Sequence, residues 1–256
     1  PLSTDLSIMR QSLIFSGLET LAFNINRQQS DLKLFEFGKT YHNFDDQNEE
    51  FNHLSILTTG NKTEKRWNSK KTEVGYFYLK GLVTGIFDRL GIKKLKSLPL
   101  SNDIFSEGQQ LSVGKYSLVE FGSLKTNALT HFGISQNVFC ANFNWDNLLK
   151  VINQNTIKYK DISKYPEVKR DLSLLIDEDI TFEKLYKLAK QSENNYLKDI
   201  NLFDVYRGDK LENGKKSYSI SFTLQDNKQT LKDSQIDKIM SKIQKRFESE
   251  LGAELR

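Results

Sequence analysis

The sequence lacks most of the residue patterns that identify a metalloprotein, a secreted protein or a membrane protein. One cysteine, Cys140, stands among 256 residues, which excludes an internal disulfide framework and favours a reducing compartment such as the cytoplasm. The three histidines, His42, His53 and His131, are scattered without metal-ligand spacing, so we expect no metal site. No apolar run approaches the ~20 residues of a spanning helix, so we expect no membrane partner.

Strong charge of one sign is also lacking. The net charge is only +4, and the acidic and basic residues are divided evenly between the two halves of the chain. Proteins that bind nucleic acids often show strong local basicity. Any contact with RNA must therefore depend on particular residues rather than on a basic patch.

Recognisable catalytic motifs are absent as well. The stretch FGKT ends like a phosphate-binding loop, but Lys33 stands where that loop needs its first glycine. Glu36, Asp45 and Asp46 are more typical of a strand end and a solvated loop than of acid–base catalysis. We therefore assign no catalytic residue.

The first part of the chain mixes helices and strands without strict βαβ alternation, which favours an α+β domain. A helix is predicted from near Asp5, and Asp146 is predicted to cap a short helix over 145–153. The other predicted elements are strands 31–41, 52–60, 113–124 and 137–145, an acidic loop over 42–50, and a helix from Tyr76 that ends at Gly91. Residues 154–165 have no apolar period and precede Pro166, so we predict two domains, 1–162 and 163–256.

The second part of the chain has a compact pattern of alternating elements. The predicted elements are strand 168–176, a helix over 181–192 opened by Thr181, strands 197–206 and 216–225, a helix over 234–251 capped by Asp233, and the tail GAELR. In order these make a βαββαβ, or ferredoxin-like, arrangement.

One strand of this second domain ends in an unusual way, on the sequence LFDVYRG. Asp204, Tyr206 and Arg207 would present an acceptor, a flat ring and a cation, and Lys216 and Ser217 follow on the next strand. Single-stranded RNA is recognised by stacking bases on aromatic rings and by hydrogen bonds to base edges. From spacing alone, the alternative that Tyr206 only covers the core edge while Arg207 is solvated remains the commoner one.

Several motifs of the second domain resemble those of a known family. KYPEVKRDLSLLIDEDI, LFDVYRG, GKKSYSISFTLQDNKQTL and LGAELR resemble the ferredoxin-fold anticodon-binding domain that ends the β subunit of bacterial phenylalanyl-tRNA synthetases. The stretches PLSTDLSIMRQSLIFSGLETLAFNINR, LKLFEFGKTY and EFGSL resemble the class II catalytic-like module that precedes it. The resemblance thus covers nearly the whole chain.

This resemblance implies a C-terminal part of a β subunit that binds an α subunit in an α2β2 assembly and binds the tRNA for phenylalanine. Asp204, Tyr206 and Ser217 then lie at the anticodon, with Arg170, Arg207 and Lys216 as neighbouring contacts. ATP and magnesium belong to the full enzyme, and no cofactor is expected in this part. The editing site and the magnesium-binding residues of the family would lie upstream of Pro1.

The resemblance also implies that the first module is not catalytic. Class II synthetases hold ATP phosphates with arginines, whereas His42 and Asn43 follow GKTY here and EFGSLKTNALTHFG contains no arginine. The first 162 residues hold these arginines: Arg10, Arg27, Arg66 and Arg89. We expect a scaffold whose apolar residues in 6–25 dock on the α subunit.

Two other functions remain as alternatives. Ferredoxin-like domains also occur in small-molecule regulatory proteins, because a fold does not determine a function. Such a sensor would need a closed apolar pocket, whereas an RNA-binding domain needs Tyr206 and Arg207 on an open surface. An autonomous ATP-dependent ligase is disfavoured by the missing arginines.

Overall fold

The structure, a computed structural model, describes residues 7–44, 47–63, 67–68, 70–93, 95–152, 159, 161–208 and 211–256. The chain divides into two compact units, Pro1–Lys158 and Tyr159–Arg256. Each unit combines an antiparallel sheet with helices, so the α+β prediction is confirmed. The boundary between domains at 162/163 stays a prediction. Among the described residues, no helix is long and apolar enough to cross a membrane.

The first unit is built on a six-stranded sheet with the strand order β1-β2-β6-β5-β4-β3. Its strands are β1 (Leu32–Phe44), β2 (Gln47–Thr59), β3 (Lys96–Leu100), β4 (Phe105–Val113), β5 (Tyr116–Leu124) and β6 (Val138–Asn144). Its helices are α1 (Ile14–Ile25), α2 (Tyr76–Arg89), α3 (Thr126–His131) and α4 (Trp145–Ile152). Neighbouring strands pair antiparallel throughout this sheet.

Helices cover the two faces of this sheet unequally. Side chains alternate between the faces of a strand, and the side chains of one face pack with α2 and α4. That cluster is formed mainly by Leu54, Leu79, Val83, Phe87, Phe121, Phe143 and Leu148. On the other face, α1 and α3 pack over a smaller cluster that includes Leu18, Leu57, Leu129 and Cys140. The rest of this second face carries polar residues.

The first helix begins later than the sequence suggests. It starts at Ile14 rather than near Asp5, because the backbone N–H of Ile14 donates to Ser12 Oγ at 3.1 Å. Residues 7–13 precede it, and Arg10 among them lies beside β1, where its carbonyl accepts from the Tyr41 N–H at 2.9 Å. Ile8 and Met9 are consequently exposed instead of lying on a helix stripe.

Two further predictions about the first unit were wrong. Residues 42–44 and 47–50 of the expected acidic loop continue the β1–β2 hairpin, while 45 and 46 lie outside the described residues. Asp146 does not cap α4, because Asn144 Oδ1 accepts from the Asn147 N–H at 2.9 Å. The Asp146 carboxylate instead accepts from the backbone and side-chain N–H groups of Asn52 at 2.7 and 2.8 Å. Strands β3 and β4 and helix α3 were not predicted.

The second unit has the predicted βαββαβ order. Its elements are β7 (Val168–Asp177), α5 (Phe182–Ser192), β8 (Leu197–Tyr206), β9 (Lys215–Leu224), α6 (Asp233–Leu251) and β10 (Glu254–Leu255). The strand order is β10-β7-β9-β8, and each neighbouring pair is antiparallel. Both helices pack on one face, over a core centred on Leu174, Ile220, Phe222, Ile243 and Phe247.

The helix caps of this unit differ in detail from the sequence prediction. Asp233 is the first residue of α6, and Lys232 holds the N-cap position, where its N–H donates to Gln235 Oε1 at 3.0 Å. Thr181 occupies the N-cap position of α5, as predicted, but its side chain makes no capping hydrogen bond. Gly252 ends α6 with a left-handed backbone at φ 61°, which glycine adopts without strain.

Candidate nucleic-acid interface

The sheet of the second unit has one face free of helices. On β9, Tyr218, Ile220 and Phe222 point into the helix-covered core. Because side chains alternate along a strand, the residues between them, Ser217, Ser219 and Ser221, lie on the opposite face. We call this opposite side the open face.

A β-bulge brings Asp204 and Tyr206 to the open face. Leu202 pairs with Ile220 on the core side, and the register then shifts, so that Asp204 pairs with Ser219 and Tyr206 with Ser217. Phe203 is the extra residue of this bulge. It turns the side chains that follow it to the opposite face of the sheet. Without the shift, Asp204 and Tyr206 would continue on the side of Leu202.

Small hydroxyl side chains form the centre of the open face. Ser173 on β7 pairs with Ser219 on β9, and their Oγ atoms lie 3.3 Å apart. Together with Ser217 and Ser221 they make a surface that we call the serine floor. Ser217 is buried and the other three serines are partly exposed, and each hydroxyl can donate and accept a hydrogen bond.

The last residue of the chain reaches across this floor. The Arg256 N–H donates to the Ser173 carbonyl at 2.9 Å, which continues the pairing of β10 with β7. The Arg256 guanidinium lies 5.3 Å from the centroid of the Tyr206 ring, although β10 and β8 are the two edge strands of the sheet. This distance is within the range of a cation–π interaction. Arg256 is not among the site residues predicted from the sequence, because the two residues of β10 are too few to show an alternation of side chains.

The predicted site residues do not all lie together. Asp204, Tyr206 and Ser217 share the open face, but Ser217 is only 4% exposed. Lys216 lies on the helix side with 3% exposure, and its Nζ donates to the Glu178 carbonyl at 2.7 Å. Its ammonium is thus occupied inside the domain. The role of Lys216 as a neighbouring contact stays a prediction, and its ammonium would first have to leave the Glu178 carbonyl.

The two predicted arginines also differ in their positions. Arg170 pairs with Phe222, a core residue, and its guanidinium lies 3.3 Å from the Asp233 carboxylate at the start of α6. Strand alternation therefore separates it from the open face. Arg207 follows the end of β8, is exposed, and pairs with the Glu178 carboxylate at 2.8 Å. Of the two predicted arginines, only Arg207 adjoins a residue of the open face, since it directly follows Tyr206.

The groups that meet on the open face suit recognition of a flat, polar ligand. Tyr206 provides a ring, Arg256 and Arg207 provide cations, and Asp204 and the serines provide hydrogen-bonding groups. Over the described ranges, no three His, Cys, Asp or Glu side chains group closely enough to hold a metal ion.

Comparison with known proteins agrees with the fold. Residues 163–256 match the family model described as the ferredoxin-fold anticodon binding domain, which defines the class of the second unit. Residues 1–145 match the model described as the phenylalanyl tRNA synthetase beta chain CLM domain. The chain belongs to the phenylalanyl-tRNA synthetase beta chain family.

Two similar curated proteins are longer than this chain. The phenylalanine–tRNA ligase beta subunit of Bacteroides fragilis is 44% identical over 270 residues, which cover 100% of this chain and 33% of that protein. The corresponding subunit of Porphyromonas gingivalis is 37% identical over 270 residues, with the same coverage. The chain spans about a third of the length of these relatives, 33% in both cases.

A solved structure shows a weaker similarity. Pyrrolysyl-tRNA synthetase from Desulfitobacterium hafniense aligns with 57% of this chain and 50% of its own, at 17% identity and a TM-score of 0.43. A TM-score this low carries no argument about the fold.

Proposed function

We propose that the open face of the second unit binds the anticodon of the tRNA for phenylalanine. The chain would then be the C-terminal part of a phenylalanine–tRNA ligase β subunit that acts in the cytoplasm with an α subunit. The assembled enzyme would use ATP and magnesium. The observation that carries the proposal is the meeting of Tyr206, Asp204 and the serine floor on one uncovered sheet face.

Tyr206 is the proposed stacking platform for one base. Its ring already has a planar cation, Arg256, 5.3 Å from its centroid. A base that stacks on Tyr206 would take the place of the guanidinium or be held between the two. Stacking one base on an aromatic ring contributes ~1–3 kcal/mol, which is useful binding without a basic patch.

Asp204 and Ser217 are the proposed base-edge contacts. The Asp204 carboxylate accepts only, so it selects bases that present N–H groups. Ser217 is buried at 4% exposure and pairs with Tyr206, so its hydroxyl becomes available only when the groups above it shift. Base-edge contacts specify sequence, whereas phosphate contacts only position the RNA.

Arg207 is the proposed phosphate contact. Its partner in the structure is the Glu178 carboxylate, and the two side chains are 62% and 47% exposed. Exposed ion pairs of this kind contribute only ~0–1 kcal/mol. Arg207 can therefore exchange Glu178 for a phosphate at small cost, which Lys216, held inside the domain, would do less readily.

The first unit is proposed to be a scaffold that does not activate phenylalanine. Arg10 pairs with Glu36 at 2.6 Å and donates to the Lys39 carbonyl at 3.0 Å. The Arg27 guanidinium stacks on Phe23, 3.4 Å from the ring centroid. Both engagements support a role other than ATP binding.

The proposed surface for the α subunit lies on α1. Of the apolar residues in 6–25, Leu18 and Leu21 are buried, whereas Phe15 and Phe23 are exposed. We expect Phe23→Glu to weaken α2β2 assembly in size-exclusion chromatography, while Phe77→Glu, on the exposed surface of α2, serves as the control. If the two variants assemble equally well, α1 is not the docking surface.

Direct binding to RNA tests the proposal for the open face. Fluorescence anisotropy with a labelled anticodon stem–loop should show that Tyr206→Ala loses about tenfold or more in affinity. Tyr206→Phe, which keeps the ring, should bind almost as well as the native chain. Tyr186→Ala removes a tyrosine of α5 that is 40% exposed, so unchanged binding is expected. Equal affinities for all three variants would reject the open face as the RNA site.

A further inference from the structure

The C-terminal tail forms one side of the open face. Its backbone is held by β7, because Leu255 pairs with Leu174 and the Arg256 N–H donates to the Ser173 carbonyl at 2.9 Å. Leu174 is a core residue, so alternation places Ser173 on the open face and Arg256 beside it. The backbone pairing alone therefore brings the Arg256 side chain to the face that carries Tyr206.

An ion pair also fixes the tail to the middle of the sheet. Glu254 lies two residues before Arg256 and so on the same face. Its carboxylate accepts from Lys215 Nζ at 2.9 Å, and Lys215, on β9, also pairs with Glu212 at 3.2 Å. The Lys215 ammonium is thus occupied by two carboxylates, whereas the Arg256 guanidinium lies over the Tyr206 ring.

Arg256 and Tyr206 meet although their strands lie far apart. Strands β10 and β8 are separated by β7 and β9, a width of ~14 Å at the usual strand spacing. The guanidinium nevertheless lies 5.3 Å from the ring centroid. The two side chains therefore extend toward each other over the serine floor.

Gly208 allows the Tyr206 ring to take its position. A Cβ on residue 208 would lie 2.7 Å from the Tyr206 hydroxyl oxygen and 3.0 Å from its Cζ atom, too close for a carbon atom. The hydroxyl end of the ring therefore rests against the backbone of Gly208. The Arg256 side chain, by contrast, is exposed beyond its backbone bond. Tyr206 is thus the positioned group of the pair, and Arg256 is the group that can move.

The distance between the two groups fits a base only if Arg256 moves. A flat ring held between two flat groups needs roughly 7 Å, which is twice a contact distance of ~3.5 Å. The guanidinium would thus have to withdraw by roughly 2 Å from its present 5.3 Å. A long, exposed side chain can make this movement while its backbone stays paired.

The chemistry of the guanidinium distinguishes three roles. A group that only blocks the ring would compete with the base, and a phosphate contact would need the charge but not the plane. A stacking group needs the plane. RNA bases stack on arginine planes as well as on aromatic rings, and an arginine already placed over a tyrosine ring has the orientation that such stacking requires.

We propose that Arg256 is the second stacking surface for one anticodon base, whose other face stacks on Tyr206. The inference rests on the proposed anticodon binding by the open face and adds the group that covers the second face of the base. Every base has two flat faces, so Arg256 contributes affinity, while the choice between bases stays with Asp204.

Fluorescence anisotropy of the whole chain with labelled anticodon stem–loops tests this role. The native loop is compared with three loops that each lack one anticodon base. Arg256→Ala should lower the affinity for the native loop roughly fivefold to tenfold. On the one loop that lacks the stacked base, neither Arg256→Ala nor Tyr206→Ala should cause a further loss. Both variants should thus identify the same nucleotide.

Other variants separate the plane of the guanidinium from its charge. Arg256→Lys keeps the charge but not the plane, so it should bind little better than Arg256→Ala. The salt dependence should stay native in both, because no phosphate contact is lost. Arg246→Ala removes an arginine of α6 that pairs with Glu250, and it should bind like the native chain. The tail remains paired in all of these variants, because its backbone and Glu254 hold it.

Other outcomes would overturn the proposal. Tighter binding by Arg256→Ala would show that the guanidinium blocks the ring. Equal losses on all loops, with rescue by Arg256→Lys and a weaker salt dependence, would make Arg256 a phosphate contact. If only Tyr206→Ala weakened binding, the base would stack on Tyr206 alone, and anticodon binding by the open face would stand. Unchanged binding in both alanine variants would reject the proposed function itself.

Discussion

The two sheets of the chain are built alike but present different chemistry on the faces that helices leave uncovered. Both are antiparallel, but helices pack on one face of the second sheet and on both faces of the first, where α1 and α3 cover the second face only in part. In the second unit the uncovered face carries the serine floor with Tyr206 and Arg256. In the first unit the partly covered face carries the polar side chains of His53, Glu120 and Asn142.

This difference has a general lesson. Strand alternation determines the face on which a side chain lies, and the types of residue on that face determine what it can bind. Hydroxyls and a ring suit a flat base with polar edges. The two units also have separate hydrophobic cores, so changes in one should leave the other folded.

The largest expected effect concerns Cys140, which lies in the core of the first unit. Burial raises the pKa of its thiol from the ordinary 9.0 to about 12. The thiolate is the reactive form, so its population below pH 9 is lowered about a thousandfold, and burial also blocks access. We expect no labelling by a thiol reagent in the folded chain and rapid labelling in denaturant.

The pH dependence of this group has a defined sign. The thiol stays protonated in the folded state up to about pH 12, whereas the unfolded chain ionises near the ordinary value of 9.0. The contribution of Cys140 to stability is therefore complete below pH 9 and is lost as the pH rises further. Labelling of the native chain as fast as that of the unfolded chain would contradict the burial of Cys140.

Phe222→Ala should destabilise the second unit alone. The ring is fully buried on β9, and its centroid lies 6.3 Å from the ring centroid of Phe247 on α6. Truncation of a buried phenylalanine costs ~3–5 kcal/mol. We expect the second unit to unfold at lower urea concentration while Cys140 stays protected from labelling. Phe203→Ala, at a 55% exposed position, is the control. If Cys140 became open to thiol labelling at the urea concentration at which the second unit unfolds, the two cores would not be independent.

Gly122→Ala should have a smaller effect, confined to the first unit. A Cβ there would overlap the Glu107 carbonyl oxygen and lie 2.6 Å from the Gly108 Cα, where backbone cannot yield easily. Overpacking of this kind costs ~1–3 kcal/mol. Gly85→Ala on α2 meets no atom within 4 Å and should instead stabilise the chain by ~0.4–1 kcal/mol. Thermal unfolding that ranks the two variants in the opposite order would contradict the close pairing of β4 and β5.

The sequence predicted the strands of the second unit well because their alternation is regular and turn residues bound them. Strand β8 has the predicted bounds, 197–206. Strand β4 was missed because its polar and small residues, such as those in SEGQQ, show no alternation of apolar side chains. The start of α1 was placed too early because Ile8 and Met9 matched the helical spacing while tertiary contacts hold that segment beside β1.

The candidate site could be predicted only in part. Lys216 and Ser217 are adjacent on one strand, so alternation alone predicts that their side chains lie on opposite faces of the sheet. The facing of Asp204 and Tyr206 depends on the bulge at Phe203, and no residue pattern indicated that bulge. Arg256 belongs to a tail whose strand has only two residues, too few for a period.

The most direct test of the open face is the anticodon selectivity of the reconstituted α2β2 enzyme. Aminoacylation kinetics with native and anticodon-altered transcripts should show that Asp204→Ala narrows the difference in kcat/KM between them, because a base-edge contact carries sequence information. Tyr206→Ala should lower kcat/KM for the native transcript about tenfold or more. Unchanged selectivity and unchanged kcat/KM in both variants, with the fold intact by circular dichroism, would contradict anticodon recognition by this face.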